Sequence, residues 1–360
     1  MNSHVEIMKY NPGLLGVTTL LLILTIASCA TSIKEVYPTL TDGKYDSEFP
    51  YRSCSDQLAE ISESVMMVSS IAFYKNYIFS EASKTRLSDI TEELLRKKSH
   101  EVVLFNQSSS GTATVIHRRE RTVALLTCAH VVVFQDTSVW YYSTSTGERT
   151  PYVRSISIKE KQTNYVGAFP EGGEVEVILI DKDLDIALIG KKFQSIPQRI
   201  IPVFGYPTGR AKELEWGSFV YLLGFPSGYK ILTKAIVSSP NKDRKGTFLV
   251  DAVFSGGFSG GVVLAIRDGV PNFELVGIVR LVSARFDYFL TPKKGDNTVE
   301  YDPVVPYGGD IYVERKSNIE YGIAQAIPIE EIRNLIDGHE DDLLRQGYDL
   351  ASFIRQPRGD

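Results

Sequence analysis

Three short segments of this chain carry residue types that can do acyl-transfer chemistry, and they come in the order His, Asp, Ser. The first is Leu126-Thr127-Cys128-Ala129-His130-Val131-Val132, a strand-like run that ends on a histidine. The second is Asp183-Leu184-Asp185-Ile186-Ala187-Leu188-Ile189, an acid at the head of an apolar run. The third is Gly256-Gly257-Phe258-Ser259-Gly260-Gly261, a serine enclosed by glycines and followed by the strand-like Val262-Val263-Leu264. A serine hydroxyl is a weak nucleophile at neutral pH and needs a base within hydrogen-bond reach. Histidine suits that task because its pKa lies near neutrality. A carboxylate fixes the imidazole tautomer and stabilises its charged form. Glycines let the backbone turn so that amide N–H groups face a developing oxyanion, here those of Gly257 and Ser259. Each segment alone is weak. His130 fits a surface or core role, Asp185 fits a turn, and the glycine run fits a flexible loop. Their joint occurrence in this order is what points to a His130, Asp185, Ser259 triad.

The elements that would position them are mostly strands. From Glu101 to about Ala326 the chain is a series of short β-branched and aromatic runs broken by Gly, Pro, Asn and Asp. Examples are Thr112–Ile116, Val123–Thr127, Val175–Ile180 and Phe219–Leu223. Many such strands at short spacing predict a β-barrel or sandwich. Val65–Tyr74 reads as a first strand. Leu87, Ile90, Leu94 and Leu95 recur at helical spacing around Ser88–Lys97, with acids leading and bases trailing, which predicts a surface helix. Pro328 opens a second helix over Ile329–Ile336 that Gly338 ends. The 360 residues are 43% hydrophobic and 23% charged, an ordinary globular balance, with a formal net charge of -5. No basic stripe suggests a nucleic-acid surface.

The three segments resemble the trypsin/chymotrypsin-fold serine peptidases, in particular their HtrA-like bacterial branch. There a T-x-A-H-V-V segment, a D-[IL]-A-[LV] segment and a G-x-S-G-G segment follow in this order. The pattern Ile186-Ala187-Leu188 singles out Asp185 from Asp181 and Asp183, which strand parity would place on the same face. Trp216–Gly228 is similar to that branch's G-x-x-V-x-x-x-G-x-P-x-G stretch, Val276–Val279 to the strand after the nucleophile, and Tyr321–Pro328 to the closing strand. The resemblance covers about Val65 to Ile336. It implies an all-β fold, a double six-stranded β-barrel with short peripheral helices and the triad in the cleft between the barrels. It also implies a substrate pocket near Val253, Phe254, Gly277, Ile278, Val279 and Arg280. No acid sits at the base of that pocket, so a small or apolar residue before the scissile bond is expected. Protein or peptide substrates are the implied partners, with no metal and no organic cofactor.

Three departures from the pattern are visible. Phe258 stands where the family has Asp or Asn, which excludes activation by a new N-terminus pairing with that acid and puts a ring beside the oxyanion hole. His130 and Asp185 lie 55 residues apart, which implies an insertion near Tyr141–Gly173. Val282–Glu320 is long enough to shape or cover the cleft. Residues 337–360 are too few for the PDZ domain of that branch, so oligomerisation through one is not expected, and the oligomeric state is open.

Other readings of these residues fit less well. Gly257-Phe258-Ser259-Gly260-Gly261 also matches the G-x-S-x-G elbow of α/β-hydrolases. That elbow needs a helix after the serine and a later histidine, whereas a strand-like run follows Ser259 and His339 stands in the tail. His4, His100, His117 and His339 lack an acid-and-serine context and read as structural or surface residues. Cys29, Cys54 and Cys128 have no metal-ligand spacing. Cys54 and Cys128 read as two separate thiols, with a disulfide as the alternative.

The N-terminus carries an apolar run from Leu14 to Ser28 behind Lys9, with the length of a secretory h-region rather than of a membrane span. It ends in Ile26-Ala27-Ser28-Cys29, which resembles the bacterial lipobox, in which the cysteine is lipidated. The expected organisation is a signal peptide over 1–28, a polar tether over 29–60, the catalytic domain over 61–336 and a tail over 337–360. The expected place is the cell envelope, membrane-anchored through Cys29, on the outer membrane or periplasmic face.

Overall fold

The computed structural model describes residues 38–354, apart from 145, 253–254, 281–283, 293–303, 305–310 and 320–321. Its first half is a closed antiparallel barrel. The strands are β1 (Val65–Ile78), β2 (Glu101–Arg119), β3 (Thr122–Cys128), β4 (Thr137–Ser143), β5 (Arg149–Val166), β6 (Glu174–Asp181) and β7 (Ile186–Lys192). The ring runs β1-β2-β3-β7-β6-β5 and returns to β1, while β4 hangs on the outer edge of β5. The second half adds β8 (Phe219–Gly224), β9 (Ile231–Ser239), β10 (Phe248–Val250), β11 (Val262–Ile266), β12 (Phe273–Arg280), β13 (Ala284–Pro292), β14 (Ile311–Ile319) and β15 (Ala324–Pro328). Six of these close a second barrel in the order β10-β15-β12-β11-β8-β9, and β13 and β14 form a separate ribbon. Closure removes the sheet edges that would otherwise pair with other chains.

The alternation of side chains explains how the barrels dock. On β11, Val263 and Ala265 point into the second barrel, while Val262, Leu264 and Ile266 point outward. Outward here does not mean solvent. Those three join Leu223 of β8, Leu275 and Ile278 of β12, and Val65, Val68 and Val115 of the first barrel in one core. A strand buried on both faces reads as a continuous apolar run, which is why Val262–Ile266 has no polar residue.

Short helices lie around the barrels: α1 (Ser55–Glu63), α2 (Glu92–Lys98), α3 (Ala129–Val132), α4 (Ile329–Asp337), α5 (Glu340–Arg345) and α6 (Ala351–Ile354). The helix expected from Ser88 begins only at Glu92, because the Thr91 hydroxyl accepts the Leu94 N–H and caps it there. A separate 3-10 turn occupies Leu87–Asp89. The first strand extends past Tyr74 to Ile78, since Lys75–Ile78 pair with both β2 and β5. The long His130–Asp185 spacing holds the additional strand β4 and its hairpin to the barrel strand β5, and the β13–β14 ribbon falls in the long segment after Val282.

Two segments taken as peripheral are docked. From Pro38 on, the stretch read as a tether lies against the second barrel. Asp46 N–H donates to Ile266 O (2.9 Å) and Phe219 N–H donates to Asp46 O (2.8 Å). Tyr45 donates its hydroxyl to Glu274 Oε2 (2.6 Å), and Glu274 also holds Arg267 (3.1 Å). At the other end, Leu343, Tyr348, Leu350 and Phe353 of the tail are buried in the core that includes the first barrel.

Candidate active site

His130 lies in α3, the single turn of helix that follows β3, and Asp185 immediately precedes β7. β3 and β7 are hydrogen-bonded neighbours with Cys128 opposite Ile186, so the pairing register alone brings the two residues together. Asp185 holds His130 at two points. The His130 backbone N–H donates to Oδ1 (2.9 Å), and ring Nδ1 lies 2.8 Å from Oδ2. The Asp185 side chain is 9% exposed, and it faces an imidazole that is 34% exposed. A buried carboxylate against Nδ1 selects the tautomer that leaves Nε2 free to accept a proton.

The parity argument that placed Asp181, Asp183 and Asp185 on one strand face fails, because a turn separates them. Asp181 Oδ1 accepts the N–H groups of Asp183 and Leu184 (2.9 and 2.8 Å), which closes that turn. Asp183 is exposed. Asp185 takes a left-handed φ of 62°, which aims its side chain back at His130, and its carbonyl accepts the Ala129 N–H (3.1 Å).

Ser259 sits on the turn between Gly256 and β11. Gly257 at φ +100° and Gly260 at φ +85° flank it. A Cβ on Gly260 would lie 2.1 Å from Thr112 O, so no other residue fits there. Among the described residues, the N–H groups of Gly257 and Ser259 donate to nothing, which leaves both for an anion. Ser259 Oγ makes no hydrogen bond to a described residue, His130 included. Val131, the residue after His130, and Ser259 both approach Gly111: a Cβ there would lie 2.6 Å from the Val131 methyl groups and 3.0 Å from Ser259 O.

Phe258 is not beside the oxyanion hole. Its side chain is 2% exposed and belongs to the core of the second barrel with Val220, Leu222, Val263 and Val276. Room for the ring comes from Gly261 and Gly224, where a Cβ would fall 2.9 and 3.2 Å from it. The expected pocket residues Gly277, Ile278 and Val279 are also corrected. They are buried in β12, which is hydrogen-bonded to β11 on one side and β15 on the other, so they form barrel wall rather than an open pocket. Only Arg280, at the strand's end, reaches the cleft, where its Nε lies 3.5 Å from Asp185 Oδ2. Val253, Phe254 and Cys29 lie outside the described residues.

Two threonines were missed from the sequence. Thr112 of β2, fully buried, donates its hydroxyl to Gly257 O (2.9 Å) and accepts the Phe225 N–H (2.9 Å). Its backbone N–H donates to Ser259 O (2.8 Å). Thr127 in turn donates to Thr112 O (2.7 Å). A threonine in a strand carries no sequence signal for this, since β-branched residues are common there. Cys54 and Cys128 are both free. Burial and then the Asp185 charge push the Cys128 thiol well up, and it donates to Val279 O (3.3 Å). Donor atoms of Cys128, His130 and Asp185 all lie within 4.8 Å of one another. They are already committed, Nδ1 to the carboxylate and the thiol to a carbonyl, so the set does not suit a cation.

Two closed antiparallel six-stranded barrels match the double-barrel fold of the trypsin-like peptidases. Residues 111–278 match the family model described as a trypsin-like peptidase domain, a span that includes His130, Asp185 and Ser259. A solved structure titled "Crystal structure of Deg5" is similar at 15% identity and a TM-score of 0.35, over 62% of this chain and 82% of that one. No curated protein sequence matches the chain.

Proposed function

We propose that the protein is a serine endopeptidase. Ser259 Oγ attacks the scissile carbonyl while His130 Nε2 takes its proton. Asp185 holds Nδ1–H and stabilises the imidazolium. The N–H groups of Gly257 and Ser259 receive the oxyanion, and the imidazolium then protonates the leaving amine. Water hydrolyses the acyl-enzyme by the same route in reverse. The observation that carries this reading is the doubly bonded His130–Asp185 pair beside a serine whose turn leaves two amides without acceptors among the described residues. The competing reading, a binding protein with an oxyanion turn collapsed around Phe258, loses its motive because that ring is buried in the second barrel.

The substrates of this reading are envelope or other extracytoplasmic proteins, with a small or apolar residue before the scissile bond. Lipidation of Cys29 ties the enzyme to the membrane. A fluorophosphonate probe tests the chemistry: labelling at Ser259 is expected, and is lost in Ser259→Ala and in His130→Ala. Folded wild-type protein that never labels would leave the binding-protein reading. Palmitate labelling lost in Cys29→Ser tests the anchor.

A further inference from the structure

The oxyanion turn is gripped from both barrels, and neither grip involves a charge. From below, Phe258 drops its ring into the second barrel's core at 2% exposure. Room for the ring comes from two glycines. A Cβ on Gly261 would fall 2.9 Å from the ring, and one on Gly224 would fall 3.2 Å from it. Any larger residue at either position would force the ring out and the turn with it. From the side, Thr112 of the first barrel binds the turn at two carbonyls, Gly257 O through its hydroxyl and Ser259 O through its amide. Those two carbonyls belong to the Gly257–Phe258 and Ser259–Gly260 peptide planes, which flank the Phe258–Ser259 plane that carries the Ser259 N–H. The plane of Gly257–Phe258 cannot rotate without breaking the Thr112 bond, and Gly257 itself is pressed against Phe225 O, 2.4 Å from where its Cβ would be. The Gly261 N–H donates to Phe258 O (2.8 Å) and the Gly260 N–H to Val279 O (2.8 Å), which completes the turn.

We infer that Phe258 and Thr112 are positioning residues for the oxyanion hole: an apolar pin and a hydroxyl clamp that hold the amides of Gly257 and Ser259 aimed at the same point without an ion pair. This rests on the serine-peptidase reading for its kinetic consequence but not for its structural one. Loosening the turn removes hydrogen bonds made to the transition state more strongly than to the substrate, so the loss belongs in kcat rather than KM. Loss of one oxyanion donor costs roughly 100- to 1,000-fold in kcat in comparable sites.

The test uses the full chain with Phe258→Leu, Phe258→Asp, Thr112→Val and Thr112→Ser. Each is assayed for kcat and KM on a peptide substrate and for hydrogen exchange in peptides covering 256–262. Phe258→Asp and Thr112→Val are expected to lower kcat about 100-fold with KM within about threefold. Both are expected to speed exchange of the Gly260 and Gly261 amides at least tenfold, by the release of a packed segment. Phe258→Leu and Thr112→Ser, which keep the apolar filler and the hydroxyl, are expected to retain kcat within about tenfold. If Phe258→Asp does not fold, Thr112→Val carries the test, since it keeps the shape and removes one hydroxyl. Folded Thr112→Val with wild-type exchange and wild-type kcat overturns the inference. Wild-type protein that shows no turnover, together with variants that speed exchange, overturns the peptidase reading and leaves the pin and clamp standing.

Discussion

Replacing Asp185 by asparagine should disable the proposed enzyme for a reason set by geometry. The carboxylate serves two donors, the His130 backbone N–H at Oδ1 (2.9 Å) and ring Nδ1 at Oδ2 (2.8 Å). The backbone N–H cannot change role, so the amide oxygen of Asn must face it. That puts the NH2 group opposite Nδ1, and two donors cannot face each other. The imidazole must then shift its proton to Nε2, the nitrogen that has to accept the Ser259 proton. A wrong tautomer in this type of triad costs roughly 10,000-fold in kcat. That is about 5.4 kcal/mol of transition-state stabilisation at 1.36 kcal/mol per decade. The fold should survive, since one of the two bonds persists; a lost charge-assisted hydrogen bond is worth about 1.5–3 kcal/mol of stability. The assay is initial rate on a peptide substrate alongside the fluorophosphonate inactivation rate and a thermal melt. Asp183→Asn and Asp181→Asn serve as controls, because Asp183 is exposed and an asparagine at 181 can still accept both turn N–H groups. Both should stay within about threefold of wild type. A folded Asp185→Asn protein that keeps more than about a hundredth of wild-type activity refutes the orienting role.

Other perturbations have equally definite outcomes. Burial, opposed by the Gly269 amide, raises the Asp46 carboxyl from 3.8 to about 6. The folded state therefore holds this proton more tightly than the unfolded one, and stability falls as pH rises through that window. Asp46→Asn, which still offers an oxygen to Gly269, should raise the melting temperature more at about pH 7.5 than at about pH 4; an equal change at both would sink the assignment. Glu274→Ala strands the Tyr45 hydroxyl and one side of Arg267, so denaturant unfolding should report a loss of about 2 kcal/mol, softened because Glu213 still pairs with Arg267. Truncating the tail before Leu343 exposes the core around Tyr348 and Phe353 and should leave the first barrel unable to melt cooperatively, read by calorimetry. Gly260→Ala places a methyl 2.1 Å from Thr112 O and should abolish probe labelling of Ser259.

The β-rich character and the His130, Asp185 and Ser259 candidates were legible in the chain because they rest on local chemistry: β-branched runs, glycines around a serine, a histidine ending a strand; the two barrels followed only from the resemblance of those segments to a known family. These signals lie within a few residues of one another and need no knowledge of what packs where. Asp185 was separable from Asp183 by the apolar residues after it, although the parity argument beside it was wrong, because a four-residue turn cannot be told from strand by alternation alone. What only the tertiary structure decided was every relation between distant segments. The tether-like stretch at Tyr45 and Asp46 turned out to be docked, since its few polar residues find partners more than 200 positions away on Glu274 and Gly269. Phe258 went inward, Gly277–Val279 became barrel wall, and Thr112 became a clamp across the barrel interface. Burial and hydrogen bonding of that kind depend on which surfaces meet, and a linear pattern carries no information about the far partner of a contact.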